Sequence, residues 1–307
     1  MQLKLAGTPS FAKDSVQENG LAATTGMRMT RELLNSFKNV KLDTKEDVES
    51  KPSGPCRISV LARNYAQVDI VCRMVERGEI DRIDEVIVDF LEVDGMKDAV
   101  EKIRRTGRVK AIVASPRVIK PGESGIWRTL LRLEADGLLV RSTGLLHRMM
   151  KLGGSGCTVD VEASIATKQQ GRTVVIPELI GDFSLNVANP LSAWELLTYG
   201  CSRVTASYDL NANGITELLA EMETILEGAA SKIEIVAHTH LPIFHTEHCV
   251  FARFLSNGNS YLDCGHACTR HSVHLRDQTG SDNLVLGRFH LFVYMLLLEK
   301  KLRLMPL

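Results

Sequence analysis

Between His238 and Asp277 the chain gathers three of its seven cysteines and seven of its nine histidines. Thiolate and imidazole are the donors that zinc and iron favour, so metal chemistry is the first question this segment raises. Cys249, Cys264 and Cys268 form C-x14-C-x3-C, and a C-x3-C turn can aim two sulfurs at one point. Three thiols supply three corners of a four-cornered site; His248, His266, His271 or a cysteine distant in sequence is open as the fourth. The zinc-protease helix is not encoded, because HTEH at 245–248 is neither H-E-x-x-H nor H-x-x-E-H. Cys249 follows His248 directly, but a thiol nucleophile needs its imidazole close in space, which adjacency does not supply. His266, His271 and His274 equally suit a solvated loop.

Such groups need a scaffold, and the sequence upstream has the rhythm of one. Short β-rich runs occur at RISVLA, EVIVDF, VKAIVAS, GLLVRS, RTVVIPEL, RVTASYDL and IEIVAH, with helical or mixed segments between most of them. That alternation is what a parallel sheet with crossover helices requires. The clearest helices, AQVDIVCRMVERG, MKDAVEKIRRTG, PLSAWELLTYG and GITELLAEMETILEG, all run into glycine, a frequent helix stop. The stretch from Arg108 to Arg203 fits least regularly. Seven strand candidates and no G-x-G-x-x-G after a strand point to an α/β fold, a (β/α) TIM-like barrel that is incomplete, with the Cys/His-rich segment 238–277 after the seventh strand. An open doubly wound sheet is the alternative. In a barrel, chemistry collects at the C-terminal ends of strands. That rule selects Asp182 and Asn186 after VVIPEL, Tyr208 and Asp209 after RVTAS, and His238 and His240 after IEIVA as catalytic candidates. Asn186, Asn189, Asn211 and Asn213 also suit turns and helix caps.

Composition narrows the classes further. The 307 residues balance 37 Lys and Arg against 37 Asp and Glu, so no overall positive field advertises a nucleic-acid surface and a local patch must serve instead. Cys56, Cys72, Cys157 and Cys201 are scattered singly, unlike a secreted disulfide scaffold, and indicate a reducing, intracellular compartment. No targeting stretch is visible at the start, which leaves cytoplasm or plastid as the expected setting. HLFVYMLLL near the other end is nearly all apolar but far shorter than the roughly 20 residues of a membrane span. The charged, Pro-containing KLDTKEDVESKPSGP marks a linker and a boundary near residue 53.

The run GDFSLNVANPLSAWELLTYGCSRVTASYDL, followed by IEIVAHTHLPIFHTEHCVF and the spaced cysteines, resembles the U32 peptidase family, in particular plant and bacterial members described as collagenase-like. The resemblance is strong over residues 170–285 and looser back to 56. It implies a barrel and, as in several bacterial members, an oxygen-labile 4Fe–4S cluster held by four cysteines. Cys249, Cys264 and Cys268 match three of these, with His248 as a further metal ligand and zinc as the alternative metal. Pro242 stands where several relatives carry another cysteine. The resemblance also implies an iron–sulfur-dependent hydroxylation or RNA modification in the full-length form, on RNA or a small aromatic precursor such as a quinone precursor. A collagenase-like peptidase and a non-catalytic, zinc-stabilised fragment are the alternatives. MRMTRELLNSF is similar to the end of an accessory domain in longer members. The expected organisation is therefore residues 1–52 as the end of that domain plus linker, 53–285 as a partial barrel, and 286–307 as a divergent apolar tail. On this reading the fourth cluster ligand and the last strand lie outside the chain, and its own catalysis is reduced or absent.

Overall fold

The structure, a computed structural model, describes residues 57–80, 82–90, 93, 95–161, 171–239, 249–258, 263–276, 278–280 and 282–285. Their elements are β1 (Ile58–Ala62), α1 (Tyr65–Glu76), β2 (Ile83–Val88), α2 (Met96–Arg105), β3 (Lys110–Ala114), α3 (Ser124–Arg132), β4 (Gly137–Val140), α4 (Thr143–Lys151), β5 (Thr158–Val161), β6 (Arg172–Val175), β7 (Glu178–Gly181), α5 (Pro190–Thr198), β8 (Arg203–Thr205), α6 (Ala212–Ile225), β9 (Ile233–Glu234), α7 (Val250–Leu255), β10 (Val273–Arg276) and β11 (Asp282–Val285). The linker, the N-terminal segment and the apolar tail fall outside the described residues.

Several strand-to-helix turns are built alike. An inward-facing residue ends the strand, and a capping residue then starts the helix. Arg63 is followed by Asn64, whose side chain accepts from the Gln67 N–H at 3.0 Å, and Arg141 by Ser142, whose hydroxyl accepts from the Leu145 N–H at 3.3 Å. Asn189 and Asn211 cap α5 and α6 in the same way, each at 2.9 Å, which bears out the capping role the sequence allowed them. At the other ends, the four glycines that close the predicted helices, Gly78, Gly107, Gly200 and Gly228, all have positive φ.

Seven strands form one parallel sheet in the order β1-β2-β3-β4-β7-β8-β9. A doubly wound sheet reverses its order at a switch point, whereas this one runs in a single direction, as barrels do. The sheet is also curled into a half-barrel. Arg203 on β8 reaches Glu85 on β2, four strand intervals away, which in a flat sheet would be about 19 Å and beyond the reach of two side chains. Curling creates an inside and an outside. Outward residues such as Val86, Val88, Val113, Leu138, Val140 and Leu179 pack under the helices, while Leu61, Ile87, Ile112, Leu139 and Ile180 meet on the inner face. Burial on both faces explains why the strand runs are nearly continuous in apolar residues.

RTVVIPEL, expected as one strand, is two. Residues 172–175 are β6, which pairs antiparallel with β5 in a separate ribbon, and 178–181 are β7 of the main sheet. Pro177 lies between them and has no N–H to donate to a ladder, so the pairing changes partner there. The irregular stretch contains α3 and α4, whose buried faces are Trp127, Leu130 and Leu131, and Leu145, Leu146 and Met149.

Candidate functional site

Strand ends at the C-terminal edge of the sheet carry an ionic network. Arg63, Asp89, Arg141 and Asp182 are the first residues after β1, β2, β4 and β7. Arg141 donates to both oxygens of Asp89, at 2.7 and 2.8 Å, and Arg63 reaches the same carboxylate. Arg141 is steadied from behind by Ser115, whose hydroxyl accepts the Arg141 N–H at 3.1 Å. On its other flank Arg141 Nε faces Asp182 Oδ2 at 3.3 Å. Ser184 Oγ lies 2.9 Å from both Asp182 Oδ2 and the Arg141 carbonyl, so its single proton serves one of them at a time. Asp182 Oδ1 is buried with no hydrogen-bond partner among the described residues.

The two acids of this network differ in character. Burial works against the Asp89 carboxylate, but Arg141 and Arg63 together outweigh it and hold its pKa below the ordinary value. Burial pushes the Asp182 carboxyl above the ordinary value, although Arg141, Ser184 and Arg117 pull the other way. Beside Asp182, Phe183 stacks on Tyr208 with centroids 3.9 Å apart, and the Arg117 guanidinium lies 4.5 Å from the Phe183 centroid. Of the residues the sequence proposed, Asp182 and Tyr208 are thus drawn together through Phe183. Asn186 is exposed, in a left-handed turn at φ 57°. Asp209 is exposed and folds back on Ser207, whose hydroxyl lies 3.2 Å from Asp209 Oδ2. His238 is exposed beyond the end of β9, and His240 lies outside the described residues.

A second network fills the opposite end of the half-barrel. Arg203 on β8 bonds Glu234 on β9 at 3.1 Å, meets Glu85 on β2, and comes within 3.4 Å of Glu178 on β7. The Ser59 hydroxyl donates to Glu85 at 2.9 Å. Burial, with added like charge from Glu85 and Asp182, pushes Glu234 up to about 7 in spite of Arg203.

The cysteines of the Cys/His-rich segment lie on a separate small unit. Cys249 caps α7, its Sγ accepting from the Ala252 N–H at 3.4 Å, and α7 packs on the 3-10 turn Ala267–Thr269 that carries Cys268. Gly258 admits the backbone that leads into Cys264: a Cβ there would come within 2.5 Å of the Asp263 carbonyl oxygen and 2.7 Å of the Cys264 nitrogen. Cys249 is exposed, and Cys264 and Cys268 are half-buried. Among the described residues no three His, Cys, Asp or Glu side chains gather as an ion site. His248 lies outside the described residues. No disulfide joins the six described cysteines to one another. No helix among the described residues is long and apolar enough to cross a membrane.

Sequence reasoning missed Arg63, Asp89, Arg141, Ser184 and Arg117. The signal that finds the first three is the one that found Asp182: each follows directly on a strand.

Fold and rim together define an α/β half-barrel protein with a buried acid at the C-terminal edge of its sheet. No family model matches the chain and no curated protein matches it. Among solved structures it is similar to one described as the U32 peptidase Mk0906, at 15% identity and a TM-score of 0.40, over 63% of this chain and 72% of that one. A likeness of that degree does not bear on activity or cofactor.

Proposed function

We propose that the chain belongs to a (β/α)-barrel enzyme of the U32 kind, working at the C-terminal rim on RNA or a small aromatic precursor, with Asp182 holding and moving the proton. The family part of this reading rests on the sequence run from Gly181 to Phe251. One observation carries the rim: Asp182 is wholly buried at a strand end, with one oxygen lacking a partner among the described residues and its proton affinity raised. Unsatisfied buried acids with shifted pKa concentrate at functional sites. A carboxyl of this kind donates a proton to a group that gains negative charge and takes one back afterwards. Arg141, fixed by Asp89, holds Oδ2 in place, so Oδ1 is the oxygen that carries the exchangeable proton. Arg117, half-buried over Phe183, suits a phosphate or carboxylate, and Phe183 with Tyr208 provides a flat wall beside it. The same proposal gives Cys249, Cys264 and Cys268 an iron–sulfur cluster, with zinc as the alternative; none of the rim roles depends on it.

Anaerobic purification with a visible spectrum and iron, sulfide and zinc analysis tests the metal content. Near-stoichiometric iron and sulfide are expected. Zinc alone indicates a zinc-stabilised unit, and no metal with cleavage of a collagen-derived peptide indicates a peptidase. For the rim, a short RNA oligonucleotide and a hydroxybenzoate serve as probes, and Arg117→Ala is expected to weaken binding of one of them by about tenfold, the loss of one charge-assisted contact. If neither probe binds, or the substitution leaves binding unchanged, the rim reading fails.

A further inference from the structure

Four carboxyl groups are enclosed in the half-barrel, Glu85, Asp89, Asp182 and Glu234, each 6% exposed or less. Two guanidinium groups are enclosed with them, Arg141 and Arg203, at 8% each. Arg63 and Arg57 reach in from more exposed positions, Arg63 to Asp89 and Arg57 to Glu85 at 3.5 Å. The cations are not shared evenly. Asp89 takes two nitrogens of Arg141 and also Arg63. Glu85 takes Arg203, Arg57 and the Ser59 hydroxyl. Asp182 is left with Arg141, already committed to Asp89, with the Ser184 hydroxyl, and with the more distant charge of Arg117. Glu234 is left with Arg203, which it shares with Glu85 and Glu178. A buried carboxyl without a cation of its own keeps its proton, because ionising it in a low-dielectric interior is expensive.

The strand register brings these two acids into one layer. Gly181 pairs with Val204, which sets Asp182 beside Thr205, and Thr205 pairs with Glu234. Asp182, Thr205 and Glu234 therefore follow one another across the inner faces of β7, β8 and β9. Two strand intervals are about 10 Å. At an effective dielectric of about 20, two negative charges that far apart disfavour each other by about one pH unit. Between them, the Thr205 hydroxyl is 1% exposed and has no partner among the described residues, so it does not commit a donor to either acid.

We propose that Asp182 and Glu234 are an electrostatically coupled pair of buried acids, in which a charge on either one favours the proton on the other. Glu234 then acts as a positioning residue: a charge on it strengthens the hold of Asp182 on the proton used at the rim. The consequence for catalysis rests on the rim reading above, but the pair does not. The directions of titration agree with the geometry. Burial raises both acids, Glu234 to about 7 with Asp182 among the causes, while Asp89 beside them is held down. Coupling of this kind is reciprocal, so each acid must report the ionisation of the other.

The test is a carboxyl carbon-13 NMR titration of the full chain, labelled at Asp and Glu, with Asp182→Asn and Glu234→Gln used to assign the two signals. Glu234 is expected to titrate near neutrality, with an inflection in the Asp182 signal where Glu234 loses its proton. Asp182→Asn is expected to lower the Glu234 midpoint by about one pH unit, the size of the repulsion removed. A Glu234 midpoint that does not move in Asp182→Asn overturns the pair. If a variant does not fold, the signals are assigned through backbone resonances and the unsubstituted chain decides: the inflection of Asp182 with Glu234 supports coupling and its absence refutes it. No ligand is needed, so this result stands apart from the probe binding that tests the rim.

Discussion

At the rim of the half-barrel one arginine is clamped by one acid, while at the base one arginine is divided among three. Arg141 gives two parallel hydrogen bonds to Asp89, and Arg203 is spread over Glu85, Glu234 and Glu178. Leu61, Ile87, Ile112, Leu139 and Ile180 pack together on the same inner face. A bidentate pair satisfies both partners and leaves the next acid, Asp182, undersupplied. A divided arginine leaves Glu234, which shares it with Glu85 and Glu178, undersupplied instead. The rim therefore holds Asp89 as an anion beside an Asp182 inclined to keep its proton, and the base leaves Glu234 inclined the same way by different geometry.

The largest effect that could break this comparison is at Asp89. Asp89→Ala strands Arg141 and Arg63 without their carboxylate, and loss of one partner of a buried pair costs about 3–5 kcal/mol. Denaturant unfolding measures it, and a cost no greater than that of Glu178→Ala, at the more exposed edge of the base network, would show that the rim clamp is no tighter than the divided contact.

The next effect is one of sign. Glu234 binds its proton more tightly in the folded chain, with its pKa raised from 4.5 to about 7. Its contribution to stability is therefore full below about 4.5 and is lost as pH rises through about 7, amounting to about 3 kcal/mol. Asp89 is shifted downward, so its contribution is present above the unfolded value and is lost as pH falls through the folded one. Rising pH should therefore remove the contribution of Glu234, while falling pH removes that of Asp89. Unfolding curves of Glu234→Gln across this range should lack the slope between about pH 4.5 and about pH 7; an unchanged slope assigns it to another group.

A smaller perturbation probes the apolar cluster of the inner face. A Cβ at residue 137 would lie 2.6 Å from Ile112 Cδ1 and 3.0 Å from Ile180 Cδ1, so Gly137→Ala overpacks the inner face and should cost about 1–2 kcal/mol. Thermal unfolding without such a loss would mean that the cluster is loosely packed. The smallest effect belongs to Arg57→Ala. Its side chain is 48% exposed where it meets Glu85, so solvent screens the pair and the cost should stay below about 1 kcal/mol and shrink further in salt.

Local chemistry was enough to read much of the frame from the chain itself. Alternating strand and helix runs, caps at Asn189 and Asn211, and glycine stops at helix ends depend on neighbours within a few positions, so they are legible without a fold. The strand-end rule likewise located Asp182. The separate ribbon of β5 and β6 was not legible, because VVIPEL has the composition of one strand and only the choice of partner shows that Pro177 divides it.

What tertiary structure alone decided is which charges meet. Arg63 and Asp89 are 26 positions apart, Arg141 and Asp89 52, and Arg203 and Glu85 118. In the sequence Glu85 and Arg203 read as polar residues at the starts of strands, where side chains commonly face water. The curl of the sheet turns those same positions inward and closes them over one another. Period-two alternation determines that two residues share a face of the sheet, but whether that face is open to solvent or enclosed depends on how far the sheet bends, a property of all seven strands together.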